Sequence, residues 1–395
     1  MSSNFRSCAG VGISKRAGVD RAVDEALSQA RAALHGAPPV LAIAYAGVAH
    51  DQEALHRELS ARLEGVPVVG GSTQGVYAGG ACVEAERVLA VALLAGSALK
   101  VRVAMVRDIR GDGREHGRNL AAQLGDSAAG PGTTLLYYDP LGGADAEALL
   151  RGLADGGFPE VYGGATGQPW GKMVGTWQFA PGALLTSGAV AVRIQGLKPI
   201  ADLTHGAETT GLEVTVTRAA GNIIYELDGG PALDVWCQQL GVTPDRTVEN
   251  TSNWALGVRP REGTHYEGFI TRAPFKLDVE NRSIVLQAPV PEGARVQVCI
   301  RTQPAVYNGA IRMAERLKLA LAEAQPVLAL GFECGARPGP FLGAELAQHE
   351  VHGMVERLPQ GIPWIGTYAW GEIAPVGGRT EFHNFTFPLC YLCEP

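Results

Sequence analysis

The chain has 395 residues, 46% of them hydrophobic and 18% charged, with a formal charge of −7. That length is too great for one ordinary core, and the composition excludes a disordered chain. The acidic balance, with no Lys/Arg run and no basic stripe interleaved with aromatics, argues against a nucleic-acid surface.

The N-terminal MSSNFRSCAGVGIS has no apolar core of signal-peptide length, and the most apolar run, Val88 to Ala95, is too short to span a bilayer. A cytosolic protein is expected. The seven cysteines (8, 82, 237, 299, 334, 390, 393) are odd in number and scattered, so free thiols are expected.

In chain order, a helix over Asp20 to Leu34 leads through Gly36 and two prolines to the strand VLAIAYA. A second helix spans Gln52 to Leu63, followed by VPVVGGST and the strands RVLAVALLAG and LKVRVAMVRDI. The order then repeats. A helix over Arg114 to Leu124 precedes the strand TTLLYYD; a helix over Ala144 to Ala154 precedes EVYGGATG, GAVAVRIQG and LKPIADL. A third copy has helices over Asn308 to Ala324 and Leu342 to Leu358, the strand VLALGFE, then PWIGTYAWGEIA and the strand FHNFTFPLCYL.

Repeats are therefore expected at about 20–109, 114–204 and 307–392. Between the second and third lies a hairpin-rich insert over 213–302. We expect two domains, 1–208 and 209–395, with a boundary near Gly206 to Gly211. The fold class is α/β with α+β character: mixed sheets with helices packed on them.

Three glycine turns recur. The first, Gly70-Gly71-Ser72-Thr73-Gln74, nearly matches the G-x-S-x-G elbow, but its last glycine is one place late, at Gly75. The second replaces Ser72 by Ala165 and keeps Thr166 opposite Thr73. Three readings stand: a backbone turn needing φ > 0, a pocket lined by N–H groups and hydroxyls, or an activated Ser72. No G-x-x-x-x-G-K-[ST] phosphate loop is present.

Cys334 and Arg337 follow the strand VLALGFE, where α/β proteins place ligands; Arg337 offers a planar fork for a carboxylate. Glu372 lies in an apolar context, either paired with a cation such as Arg337 or exposed at a turn. His383 and Asn384 open the final strand. His349 and His352 lie one turn apart on a helix, but Gly353 breaks the H-E-x-x-H zinc pattern, which favours a solvated face. Cys390 and Cys393 form a lone C-x-x-C on a strand, where i and i+3 point to opposite faces.

Several motifs carry a family resemblance: YELDGGPALDVW (225–236), FECGAR (332–337), WGEIAP (370–375), FHNFT (382–386) and VVGGSTQG (68–75). In order and spacing they resemble FIST-domain proteins over nearly the whole chain, with a FIST N-like and a FIST C-like half. The resemblance implies a sensory, ligand-binding role in bacterial signal transduction. It brings amino acids or other small molecules as ligands, and kinase, cyclic-dinucleotide or chemotaxis outputs. One subgroup comprises haem-binding nitric oxide sensors that regulate histidine kinases.

Ala369 and Phe385 depart from the family pattern, standing where a hydroxyl and a polar residue are common. No output module is visible, so a separate partner such as a histidine kinase or cyclic-dinucleotide enzyme, or self-association, would carry the signal. With the resemblance, the candidate ligand site comprises Gly71, Ser72, Thr73, Thr166, Cys334, Arg337, Tyr368, Glu372, His383 and Asn384. Non-covalent haem would take an axial ligand from residues such as His205, His265 or His383. The alternative is a small-molecule hydrolase or transferase using Ser72 or Cys334.

Overall fold

The computed structural model describes residues 6–143, 145–169, 171–172, 174–210, 212–245, 251–260 and 268–395. Its organising unit is a strand, a helix, a strand, a helix, a strand, a short hairpin and a closing strand. The first copy runs β1 (Cys8–Ser14), α1 (Val19–Ala32), β2 (Pro39–Gly47), α2 (Gln52–Arg62), β3 (Val68–Thr73), the hairpin β4 (Val76–Ala78) and β5 (Ala81–Val83), then β6 (Leu89–Ala95). The second runs β7 (Lys100–Val106), α3 (Gly113–Leu124), β8 (Gly132–Tyr138), α4 (Ala146–Asp155), β9 (Tyr162–Ala165), β10 (Gln178–Ala180), β11 (Ala183–Leu185) and β12 (Ala189–Gln195).

The third copy opens with β13 (Lys198–Thr204) and is interrupted by the insert. The insert comprises β14 (Ala207–Thr209), β15 (Val214–Ala220), β16 (Ile223–Leu227), β17 (Gly230–Pro231), α5 (Ala232–Leu240), β18 (Trp254–Val258), β19 (Ile270–Arg272), β20 (Pro274–Asp278), β21 (Ser283–Leu286) and β22 (Arg295–Arg301). The copy resumes with α6 (Gln303–Ala320), β23 (Gln325–Cys334), α7 (Ala344–Arg357), β24 (Trp364–Ala369), the hairpin β25 (Glu372–Val376) and β26 (Arg379–His383), and β27 (Phe387–Glu394).

Each copy builds one six-stranded mixed sheet with a single parallel pair: β2 with β3, β8 with β9, β23 with β24. The last two strands of each sheet come from another copy. The orders are β1-β6-β2-β3-β10-β11, β26-β25-β9-β8-β12-β7 and β13-β27-β23-β24-β4-β5. The hairpins are thus exchanged in a ring, and no copy completes its own sheet. The run LKVRVAMVRDI, grouped by sequence with the first copy, forms the outer strand of the second sheet; LKPIADL likewise opens the third.

Period-two alternation drives the layering. On β2, Leu41, Ile43 and Tyr45 face a central core shared by all three sheets, while Ala42, Ala44 and Ala46 face α1 and α2. The other helix pairs cover the other two sheets in the same way. At the centre, Tyr45, Tyr137 and Phe332 occupy equivalent strand positions. The rings of Tyr45 and Tyr137 lie 6.0 Å apart, those of Tyr137 and Phe332 6.3 Å. The insert forms a nine-stranded antiparallel sheet with α5 on it and a core of its own.

The glycines of the third strand explain the exchange. Gly70 (φ +115) faces Phe179 of β10, and Gly163 (φ +144) faces Ile373 of β25. A Cβ at either would sit on the carbonyl oxygen of Ala44 or Leu136, so these two glycines let the strand close on its own copy's parallel neighbour; Gly71 is the one that admits the foreign hairpin, since a Cβ there would meet Trp177 O.

One expectation is corrected here. FHNFTFPLCYL is two strands: β26 ends at His383, and β27 begins at Phe387. Between them Phe385 takes φ +61, which breaks the extended run.

Candidate functional site

The three turns meet. Ser72 N–H donates to Trp177 O (2.9 Å), and its Oγ donates to Gly167 O (2.9 Å) while accepting from Trp177 N–H (3.0 Å). Thr73 Oγ1 donates to Gly75 O (2.6 Å) and accepts from Thr367 Oγ1 (2.8 Å) and Tyr368 N–H (3.2 Å). Thr166 Oγ1 accepts from Gln178 Nε2 (2.8 Å) and donates to Tyr138 O (3.2 Å). Across the second and third turns, Trp370 N–H donates to Ala165 O (3.3 Å) and Ala165 N–H to Gly371 O (2.9 Å). Gly71, Ser72, Thr73, Thr166 and Tyr368 are therefore brought together, and all are buried. Ser72 bonds main-chain groups rather than a side-chain base.

Beside this hub lies a buried charge cluster. Arg337 is 0% exposed and pairs with Glu333 (3.0 Å) and Glu350 (2.7 Å). Arg337 is thus already occupied, neither a surface residue nor a free fork. Burial raises the pKa of both glutamates, and their mutual repulsion raises Glu333 further. Tyr77 and Tyr368 cover the cluster, and Tyr368 Oη meets Cys82 Sγ at 2.5 Å.

Glu372 is neither paired with Arg337 nor exposed. It is 0% exposed and accepts from Thr386 N–H (3.0 Å), Thr386 Oγ1 (2.9 Å) and Gly371 N–H (3.2 Å). Burial pushes its carboxyl up to about 8. Burial, with Glu372 adding to it, drives the neighbouring Cys334 thiol far above its usual range, where it is no nucleophile.

His383 and Asn384 lie apart from the hub, at the seam with the insert. Asn384 Oδ1 accepts from Ala273 N–H (3.0 Å) and its Nδ2 donates to Gln287 (2.8 Å). His383 Nε2 bonds Ala374 O (3.1 Å). Nearby, Arg272 bridges Glu147 of α4 (2.6 Å) and Phe382 O (2.5 Å), so it ties the insert to the second sheet.

Along the same seam runs a groove of about 590 Å³, within the usual range of ligand pockets. Arg151, Glu147 and Asp145 line one wall; Val258, Ile270, Arg272 and Val290 line the other.

His349 and His352 are exposed on α7, while Glu350 between them turns inward. Cys390 and Cys393 fall into different cores on opposite faces of β27. Among the described residues no group of three or more His, Cys, Asp or Glu is placed to hold a metal. No helix among them is long and apolar enough to cross a membrane.

A haem needs an axial His, Cys, Tyr or Met, and the groove's described lining contains none of them. His205 Nδ1 accepts from Ala207 N–H (2.9 Å) and its ring stacks on Phe269, so neither it nor His383 faces the groove. His265 lies outside the described residues. The described residues lining the groove do not fit haem.

Sequence reasoning missed Glu333, Glu350, Arg272 and Arg301. The available signal was charge within apolar runs: FEC in β23, and an arginine closing CIR in β22.

The FIST N domain model matches residues 40–230 and the FIST C domain model residues 232–375. An uncharacterised protein of Mycobacterium tuberculosis (strain ATCC 25618 / H37Rv) is 29% identical over 402 residues, covering 98% of this chain and 99% of that one. One of Mycobacterium bovis (strain ATCC BAA-935 / AF2122/97) is 29% identical over 401 residues, covering 98% of each. Among solved structures, a cyanuric acid hydrolase from A. caulinodans aligns at 11% identity and TM-score 0.34, over 98% of this chain and 99% of that one. Phosphoribosylformylglycinamidine synthase II from Thermotoga maritima aligns at 11% and 0.24, over 100% of this chain and 73% of that one. With family models spanning both halves, the chain belongs to the FIST family, whose domains are linked to sensing in signal transduction.

Proposed function

We propose that this protein is a small-molecule sensor of bacterial signal transduction whose ligand binds in the groove between the second sheet's α4 edge and the inserted sheet. The observation that carries this reading is the groove's position across a seam between two separately cored bodies. A ligand touching both walls favours one seam geometry by its differential affinity for the two. A separate partner, such as a histidine kinase or a cyclic-dinucleotide enzyme, would read that geometry.

The hub plays a different part in this proposal: its hydroxyls are committed to backbone partners, so it is the rigid frame against which the seam moves. The candidate residues His383 and Asn384 act as the fastening of the insert, and Arg272 as the strut beside the ligand.

The test is a thermal-shift screen of small metabolites on the full chain, repeated on Val258→Trp, which fills the groove from the insert side. A metabolite that stabilises the wild type and not the variant supports the reading. A hit that stabilises both equally, or a screen without hits, sinks it. The narrower haem and nitric oxide form is checked by the absorption spectrum of protein made with iron and haem precursor. A Soret band that shifts with nitric oxide would establish it against the lining described here.

A further inference from the structure

Arg301 closes β22, deep in the protein at 2% exposure. Its guanidinium is clamped between two rings, with Cζ 4.2 Å from the centroid of Phe341 and 3.9 Å from that of Phe385. Both faces of the plane are covered, so only its edges can bond. Nη1 donates to Ser252 O (2.5 Å), whereas the buried Nε and Nη2 have no partner among the described residues. Those two N–H groups form the side of the guanidinium that takes a carboxylate with two parallel bonds. A buried charged donor left unpaired is costly, so an unused fork at full burial points to a missing partner.

No carboxylate of the described chain fills it. Glu372 spends its oxygens on Thr386 and Gly371, and Glu350 binds Arg337 through Oε1. Glu350 Oε2 is itself unpartnered and forms no ion pair with Arg301. Glu333 is likewise taken, by Arg337 Nε (3.0 Å). The strained backbone at Phe385 (φ +61) holds one wall of the clamp in place.

We propose that Arg301 is the receptor for a small monocarboxylate, held by Nε–H and Nη2–H between the rings of Phe341 and Phe385. A fork of two parallel N–H groups favours a planar carboxylate over a tetrahedral anion. Phe341 is the movable wall. It is half-buried on the turn 338–342, whose Gly339 and Pro340 are exposed, and Gln303 Nε2 latches that turn through Phe341 O (2.8 Å). The site lies at the other end of β18 from the groove, since Trp254 pairs Ile300 while Val258 pairs Val296. It therefore stands or falls independently of the groove reading.

The test titrates the full-length protein with sodium formate, acetate and phosphate against chloride at constant ionic strength, by melting temperature and calorimetry. Saturable stabilisation by formate or acetate is expected, weakened roughly tenfold or more in Arg301→Gln and also reduced in Arg301→Lys, which keeps charge but loses the fork. Should Arg301→Gln fail to fold, Gln303→Ala provides the second reading: it unlatches the Phe341 wall and should speed acetate entry in stopped-flow mixing. No saturable response to formate or acetate overturns the proposal. So does an equal response in wild type and Arg301→Gln, a response to phosphate alone, or acetate entry indifferent to Gln303→Ala.

Discussion

Glu372→Gln should reverse its rank against the wild type as pH rises. The carboxyl is fully buried and its pKa is raised from 4.5 to about 8. A group held higher in the folded state than in the unfolded one stabilises fully below its unfolded value and loses that contribution up to the folded one. At about 1.4 kcal/mol per pH unit, the wild type forfeits roughly 5 kcal/mol between pH 4.5 and 8 through this group. Glutamine has no such term. Its amide nitrogen cannot accept from Gly371 or Thr386, so the variant starts about 1–3 kcal/mol behind at pH 5. It should end a few kcal/mol ahead at pH 8.5. Urea unfolding followed by tryptophan fluorescence at pH 5, 6.5 and 8.5 reads the difference. A gap that stays constant across that range refutes the assignment of a proton to Glu372.

Arg337→Met should cost about 3–5 kcal/mol by chemical denaturation, because it strands Glu333 and Glu350 without their cation. Tyr77→Phe should be neutral or stabilising by about 1 kcal/mol, since the buried Tyr77 hydroxyl has no partner among the described residues. Ser72→Ala should cost about 1–3 kcal/mol through its bonds to Gly167 and Trp177, a stability effect visible in any denaturant melt. Cys334 should resist iodoacetamide in the folded protein at pH 8 and react once urea unfolds it, read by intact mass.

The helices and long strands were legible because each carries its period in a run of ten or so residues. Predicted and observed bounds of α2 differ by one residue, Gln52 to Leu63 against Gln52–Arg62. The exchanged hairpins were not. Strands such as Val76–Ala78 and Gln178–Ala180 are three residues long and pair with strands far off in the sequence. Their local pattern holds no information about that partner. The boundaries of the repeats slipped for the same reason: LKVRVAMV follows the first copy directly, yet its partners are β12 and the second sheet. At the site, the recurrence of the turns was legible, but duplication alone also explains it; that Ser72, Thr166 and Tyr368 meet, and which atoms each hydroxyl serves, depends on the ring of hairpins. Arg337 was read as a ligand fork or a surface residue and Glu372 as its partner or exposed at a turn, yet both are buried with other partners. Their partners, Glu333 and Glu350 for one and Thr386 for the other, are chosen by tertiary placement.

The exchange of hairpins also constrains how such a protein can signal. Each sheet ends in strands borrowed from a neighbour, and at Gly71 a side chain would collide with Trp177 O beside the borrowed hairpin. Displacing one copy would break two sheets at once, so the three-sheet body moves as a unit or not at all. The insert is different. It has its own core and joins the body through the bonds of Asn384 to Ala273 and Gln287, those of Arg272 to Glu147 and Phe382, and a small apolar cluster where Ala255, Ala273 and Cys299 meet Cys334, Ala336 and Phe385. Motion that costs least is therefore motion of the insert about those ties, and both the groove and the Arg301 clamp sit where such motion changes their shape.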